Sequence, residues 1–338
     1  MRTSLAGISA LRARVVLGCL AAIAAWGIVA GAPQAARGRA VVAGDDDIAM
    51  YARIVARVHA GEGYYAATHT ELERGDYPLR PMFNWRPPLY AWLFGALPTP
   101  RAGQALLLVL ALVAALAGYA AARPWGGAPA VVVALLHAGL FSAAGAAYLS
   151  TELWAGVLIA LSIAAYARGR RGAAIAAALG ALFFRELAIV YVAACVLSAR
   201  TRRERTAWAV GLAAWACYFA LHAAGVAHEL AGVAAAPRSW IAFGGLRFLL
   251  LSCRANALAF AAPSWLLALA LPAALAGAAA LDGELARARL ATLGYVVLFA
   301  VVGQPFDFYW GFAWLPLLDF GLARAPAALA DLTRAARG

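Results

Sequence analysis

Long apolar runs recur along almost the whole chain, and short basic patches separate them. The runs cover residues 15–32, 103–122, 128–148, 153–167, 172–184, 187–199, 206–224, 256–280, 290–303 and 309–323. Segments this apolar, with charge confined to their ends, predict membrane helices. The expected fold is an all-α polytopic membrane protein of about ten transmembrane helices. It forms one membrane domain, 1–338, with large outer segments at 33–102 and 225–255. The run at 15–32 follows Arg2, Arg12 and Arg14, so it reads either as a secretory signal or as an uncleaved first span.

Arginine placement orients these runs. Clusters fall at Arg123, at Arg168-Arg170-Arg171, at Arg200-Arg202-Arg203-Arg205, at Arg287-Arg289 and in the tail. If all face the cytoplasm, the stretch between Arg171 and Arg200 crosses an even number of times. It therefore reads as two short helices with Phe184-Arg185-Glu186 at the outer turn. Each is roughly 20 Å long against a hydrocarbon core of roughly 30 Å, so neighbouring helices must shield them. Arg185 and Glu186 then form the floor of an outward-facing cavity. Further outer turns fall at Ser150-Thr151-Glu152 and at Gln304-Pro305-Phe306-Asp307-Phe308.

The first outer segment has a pattern of its own. Ile48, Tyr51, Ile54, Val55 and Val58 are at helical spacing, with Arg53 and Arg57 on another face. That predicts an interfacial helix ending at Gly61. Pro78, Pro81, Pro87 and Pro88 keep the following chain extended or turned. Residues 89–97 predict a second interfacial piece, with Tyr90 and Trp92 at headgroup level.

Composition supports the membrane class. Hydrophobic residues make up 65% and charged residues 13%, and mean hydropathy is +0.77; a soluble domain carries about twice that charge. The net charge is +12, and every basic residue other than histidine is arginine. No basic face with interleaved aromatics lies outside the apolar runs, so a nucleic-acid partner is not expected. Cys19, Cys195, Cys217 and Cys253 form no close pair, which implies neither a disulfide framework nor a zinc site.

Candidate chemistry gathers in the outer segments. Asp45, Asp46 and Asp47 precede the interfacial helix. One of them suits an N-cap. Three together also raise one another's pKa, which suits a proton acceptor. Arg86 reads either as a general contact to lipid phosphate or as a specific phosphate clamp. Arg185 and Glu186 read as an ion pair or as part of a site, and Glu152 as a helix cap or as an acid that orients arginines. Asp307 reads as a sugar contact beside Tyr309 and Trp310, which an interfacial aromatic belt also explains. His222, His228 and Glu229 lack metal-spaced partners, so surface roles are expected.

Asp47-Ile48-Ala49-Met50-Tyr51, after a first apolar helix, resembles the Asp-Glu-x-x-Tyr start of the first periplasmic loop of GT-C glycosyltransferases. Gly61-Glu62-Gly63-Tyr64-Tyr65 and Arg86-Pro87-Pro88-Leu89-Tyr90 resemble the later part of that loop in the aminoarabinose transferases and their relatives. The stretches 148–152, 184–186, 308–310 and 315–317 are also similar. The resemblance implies a membrane-embedded inverting glycosyltransferase in a bacterial inner membrane, its active site facing the periplasm. Its donor would be a polyprenyl-phosphate sugar and its acceptor an envelope glycan, lipid or protein, with membrane lipids around it. It places the catalytic acid at Asp47, with Asp46 as competitor. Donor phosphate falls to Arg86 and Arg185, with Glu152, Glu186, Tyr51 and Tyr90 in support. The chain departs from the pattern at Ile48, where the family has an acid, and at Trp85, where some relatives carry a glutamate; it also has no large soluble C-terminal domain. No metal ligand is assigned, and a divalent metal requirement stays open. Two other classes compete: a transporter or flippase of a lipid-linked glycan, and a noncatalytic membrane scaffold.

Overall fold

A computed structural model describes residues 3–31, 47–140, 145–233 and 241–338. The protein is all-α. In chain order the helices are α1 (Ala10–Ala30), α2 (Asp47–His59), α3 (Tyr64–Arg74), α4 (Leu89–Gly95), α5 (Pro100–Ala122), α6 (Gly127–Ala138), α7 (Thr151–Ala167) and α8 (Arg171–Phe184). They continue with α9 (Ile189–Leu197), α10 (Arg202–Glu229), α11 (Gly245–Ser252), α12 (Ala257–Phe260), α13 (Ser264–Ala279), α14 (Ala286–Val301) and α15 (Leu315–Arg337).

Among the described residues, three helices are long and apolar enough to cross a membrane: Ala10–Ala30, Pro100–Trp125 and Arg202–Glu229. Five further apolar helices are shorter, among them Thr151–Ala167 and Arg171–Phe184. Ten full-length spans are therefore not what the fold displays. Several expected runs are interrupted. The run at 128–148 keeps a helix only over Gly127–Ala138, with a 3-10 turn at Gly145–Leu149. The run at 256–280 splits at Pro263, because proline fixes φ and offers no N–H, into Ala257–Phe260 and Ser264–Ala279. The run at 309–323 begins as a 3-10 segment, Pro305–Ala313, before α15 starts. Within 225–255, α10 continues through Glu229 and α11 occupies Gly245–Ser252. One side of α5 exposes Leu108, Val109, Leu112, Val113 and Leu116. A contiguous apolar face of this kind suits lipid rather than water.

Helices α7, α8 and α14 share one polarity of placement. At one end Arg171 pairs with Glu284 at 2.6 Å and Arg287 with Glu204 at 2.8 Å. There Arg200 also donates to the carbonyl of Gly283 at 3.4 Å. The basic clusters near 170, 200 and 287 thus meet. The other ends of the same helices carry Glu152, Arg185 and the Pro305–Ala313 turn. Glu152 and Tyr166, which stacks under Arg287 at 4.0 Å, are separated along α7 by about 21 Å of helix. Polar contacts sit at both ends of an apolar slab thinner than a full bilayer core.

The first outer segment is more helical than expected. Helix α2 forms as predicted, but it buries Met50, Tyr51, Ile54 and Val55 against protein, chiefly α4, α3 and the turn at Gly145–Leu149. Helix α3 lies in a stretch with no apolar period strong enough to predict it. It is held through Glu71, whose buried carboxylate meets Arg53 at 2.5 Å and Arg57 at 2.7 Å. Burial alone would raise this carboxyl's pKa, but the two arginine hydrogen bonds prevail and hold it below the usual range.

Candidate active site

Arg86 is presented by a backbone fastened on several sides. The Trp85 indole donates to the Leu79 carbonyl at 2.9 Å, and His222 Nε2 to the Trp85 carbonyl at 3.2 Å. The Tyr64 hydroxyl donates to the carbonyl of Arg86 itself. Leu89 N–H donates to the Tyr218 hydroxyl at 3.1 Å. Pro87 and Pro88 between them have no N–H to satisfy. His222 is thus buried and structural, which corrects its expected surface role; it lies stacked near Tyr65 at 5.9 Å.

The guanidinium so positioned is 7% exposed. Its Nη2 lies 3.3 Å from Glu152 Oε1 and donates to the Tyr309 hydroxyl at 3.2 Å, while Nη1 donates to the Phe83 carbonyl at 3.4 Å. The Tyr51 ring stands 5.8 Å away. Burial works against the charge on Arg86, but the nearby carboxylates of Glu152 and Asp47 favour it, and the guanidinium stays protonated.

Glu152 is the hub of the arrangement. It is 2% exposed, and the same Oε1 also lies 2.8 Å from Arg185 Nε. Its Oε2 accepts from the Thr151 hydroxyl at 3.2 Å. The helix cap is Ser150, whose hydroxyl accepts from Leu153 N–H. Glu152 therefore does not cap α7; it sits in the first turn and joins two arginines. Arg185, also 2% exposed, follows α8 and pairs with Glu186 in the succeeding 3-10 turn. Its guanidinium lies 5.9 Å from the Trp310 ring. The contact to Glu186 joins neighbours in sequence, and the contact to Glu152 makes it part of a cluster.

The turn Pro305–Ala313 supplies the remaining wall. Gln304 N–H donates to Asp307 Oδ2 at 2.8 Å, closing a capping box. Asp307 is 1% exposed, and its Oδ1 has no hydrogen-bond partner among the described residues. Burial pushes its carboxyl pKa up to about 7, against the opposing pull of the Gln304 N–H, Arg86 and Arg185. Burial likewise raises the Tyr51 hydroxyl, which stays protonated.

Asp47 opens α2, and its Oδ1 accepts from the Tyr77 hydroxyl at 2.6 Å. It makes no direct contact with either arginine, yet it lies within electrostatic reach of Tyr51, Arg86 and Tyr309. Asp46 lies outside the described residues. Tyr90 stands behind Tyr51 at 5.6 Å and beside Tyr64 at 6.2 Å, supporting the wall without reaching the charges.

Of the sequence-nominated residues, Arg86, Glu152, Arg185 and Glu186 form one connected cluster, Tyr51 and Asp47 border it, and Tyr90 backs it. Tyr309 is a member that the sequence marked only as a neighbour of Asp307 and as part of the similar stretch 308–310. Tyr77, which holds Asp47, carried no such mark. Among the described residues the arginine cluster suits a divalent cation poorly. Two guanidiniums share the buried Glu152, and burial favours the protonated form of Asp307. Among the described residues no three His, Cys, Asp or Glu side chains gather as a metal site. Comparison of the chain with known protein families, with curated proteins and with solved structures finds no match.

Proposed function

We propose that this protein is an inverting glycosyltransferase of the membrane, taking a sugar from a polyprenyl-phosphate donor at the face opposite its arginine-rich end. The observation that supports this reading is the meeting of Arg86 and Arg185 on one side of a cluster bordered by Asp47. An acceptor hydroxyl attacks the anomeric carbon and loses its proton to the Asp47 carboxylate. The bond from that carbon to the phosphate oxygen breaks, and its electron pair leaves with the lipid phosphate. Arg86 and Arg185 stabilise the charge gathering there, at a buried site where such donors act most strongly. Glu152 holds both guanidiniums in place. The acceptor is an envelope glycan, lipid or protein, and the membrane is the bacterial inner membrane with the site on its periplasmic side. The ten-span topology belongs to this proposal, with the shorter helices shielded by the longer ones.

Membranes carrying Asp47→Asn are expected to lose at least a hundredfold in transfer from a polyprenyl-phosphate sugar, within the range general bases contribute. Full activity in that variant would remove Asp47 from the base role and turn attention to Asp46. Unchanged function after replacing both acids would favour a scaffold.

One observation favours a second reading, a transporter or flippase. His137 Nδ1 lies 2.8 Å from Asp319 Oδ2, both buried between α6 and α15, and titratable pairs inside a helical bundle mark proton-coupled pathways. Movement of a lipid-linked sugar across vesicles without sugar transfer, abolished in Asp319→Asn, would select that reading.

A further inference from the structure

A second polar feature lies at the arginine-rich end, about 21 Å along the α7/α8 pair from the candidate site. Helices α8 and α10 touch where Gly211 meets Leu179; a Cβ on Gly211 would collide with that leucine's methyl groups. Toward the arginine-rich end the space between them forms an open groove of about 760 Å³. Leu179, Ala207, Val210 and Gly211 line it, and Arg202, Arg203 and Thr206 complete its lining. From Arg202 to Gly211 the groove runs about 14 Å along α10, the depth of a headgroup, glycerol and upper acyl chain.

The charge in this groove is unbalanced. Neither Arg202 nor Arg203 has a hydrogen-bond or ion-pair partner among the described residues. The acid next to them, Glu204, is buried on the other side of α10, where it binds Arg287 at 2.8 Å and accepts from the Tyr166 hydroxyl at 3.2 Å. No carboxylate lines the groove. Its walls want hydrocarbon and its basic end wants an anion.

We infer that this groove is a binding site for one anionic phospholipid of the adjacent leaflet, its phosphate between Arg202 and Arg203 and its acyl chain against Leu179 and Val210. Charge complementarity selects an anionic headgroup over a zwitterionic one. The apolar walls select a lipid over a free phosphate. The site does not depend on the glycosyltransferase reading.

The test uses the full-length protein in nanodiscs, with native mass spectrometry of retained lipid. Phosphatidylglycerol is expected to be retained in preference to phosphatidylcholine. Replacing both arginines (R202Q with R203Q) should weaken that preference roughly 30-fold. Ala207→Trp keeps both charges but fills the groove at an exposed position, and it should also release the lipid. Unchanged retention in the double arginine variant overturns the proposal. So does unchanged retention in Ala207→Trp, which would mean a surface charge without a groove. Displacement of the lipid by millimolar inorganic phosphate would likewise overturn it, since a seated acyl chain resists such exchange.

Discussion

Two guanidiniums reach one oxygen of Glu152, so neutralising that carboxylate would take the ion-pair partner from buried Arg86 and leave Arg185 with Glu186 alone. Losing one member of a buried ion pair costs about 3–5 kcal/mol. Glu152→Gln is accordingly expected to lower the unfolding temperature in detergent strongly and to abolish transfer. Arg86→Lys should fare little better, because an ammonium cannot reach Glu152, Tyr309 and a phosphate together as a planar fork does. Asp307 gives a pH signature of the opposite kind. Burial raises its folded-state pKa to about 7, above the usual carboxylate range, so the folded protein holds a proton that the unfolded chain gives up. The stabilisation is complete below the unfolded pKa, near 4, and is lost as pH rises through about 7. Unfolding temperature should therefore fall between pH 5 and pH 8 in the native protein and much less in Asp307→Asn. Equal slopes in the two proteins would show that Asp307 is already ionised in the fold.

Among elements, the 3-10 segment Pro305–Ala313 brings Asp307 and Tyr309 to the arginines, and two glycines let it approach. A Cβ on Gly156 in α7 would collide with the Phe312 carbonyl oxygen, and one on Gly311 would collide with the Ser252 carbonyl oxygen. Gly156→Ala is expected to cost about 1–3 kcal/mol and to reduce transfer by moving this segment off α7. Gly180→Ala in α8 is the control, since its nearest neighbour, Leu158, lies 3.5 Å from the added Cβ. Unfolding and transfer measured side by side should separate the two variants. The same elements show how far pattern reading reaches. Helix α2 was legible because its apolar face repeats at helical spacing. Helix α3 was not, because Glu71 secures it by binding arginines of α2, a contact that leaves no period. The split at Pro263 was missed because the apolar composition runs on through the proline.

At the scale of the whole molecule, charge is sorted to the two ends of the short helices. Arg171, Arg200 and Arg287 meet at one end, and Arg86, Glu152 and Arg185 at the other. A membrane placed between them gives a direct test of orientation. In a cysteine-free background, Glu62→Cys should react with an impermeant maleimide in intact cells, and Arg170→Cys only after permeabilisation. The reverse pattern would move the candidate site to the cytoplasmic side and remove periplasmic transfer.

The amino-acid order alone determined the all-α class, the three long apolar helices, the amphipathic start of the first outer segment and the turn at Arg185. Each of these is a local property, fixed by hydropathy, period and the placement of charge. It also nominated Arg86, Glu152 and Arg185, but separately. Only tertiary structure decided that they share one cluster, that Glu152 binds arginines instead of capping its helix, and that the Tyr309 hydroxyl, 223 positions beyond Arg86, accepts a hydrogen bond from that arginine. Apolar runs specify that helices pack without specifying which faces meet. Which faces meet depends on small-residue contacts and buried polar pairs, and these exist only once distant segments have come together.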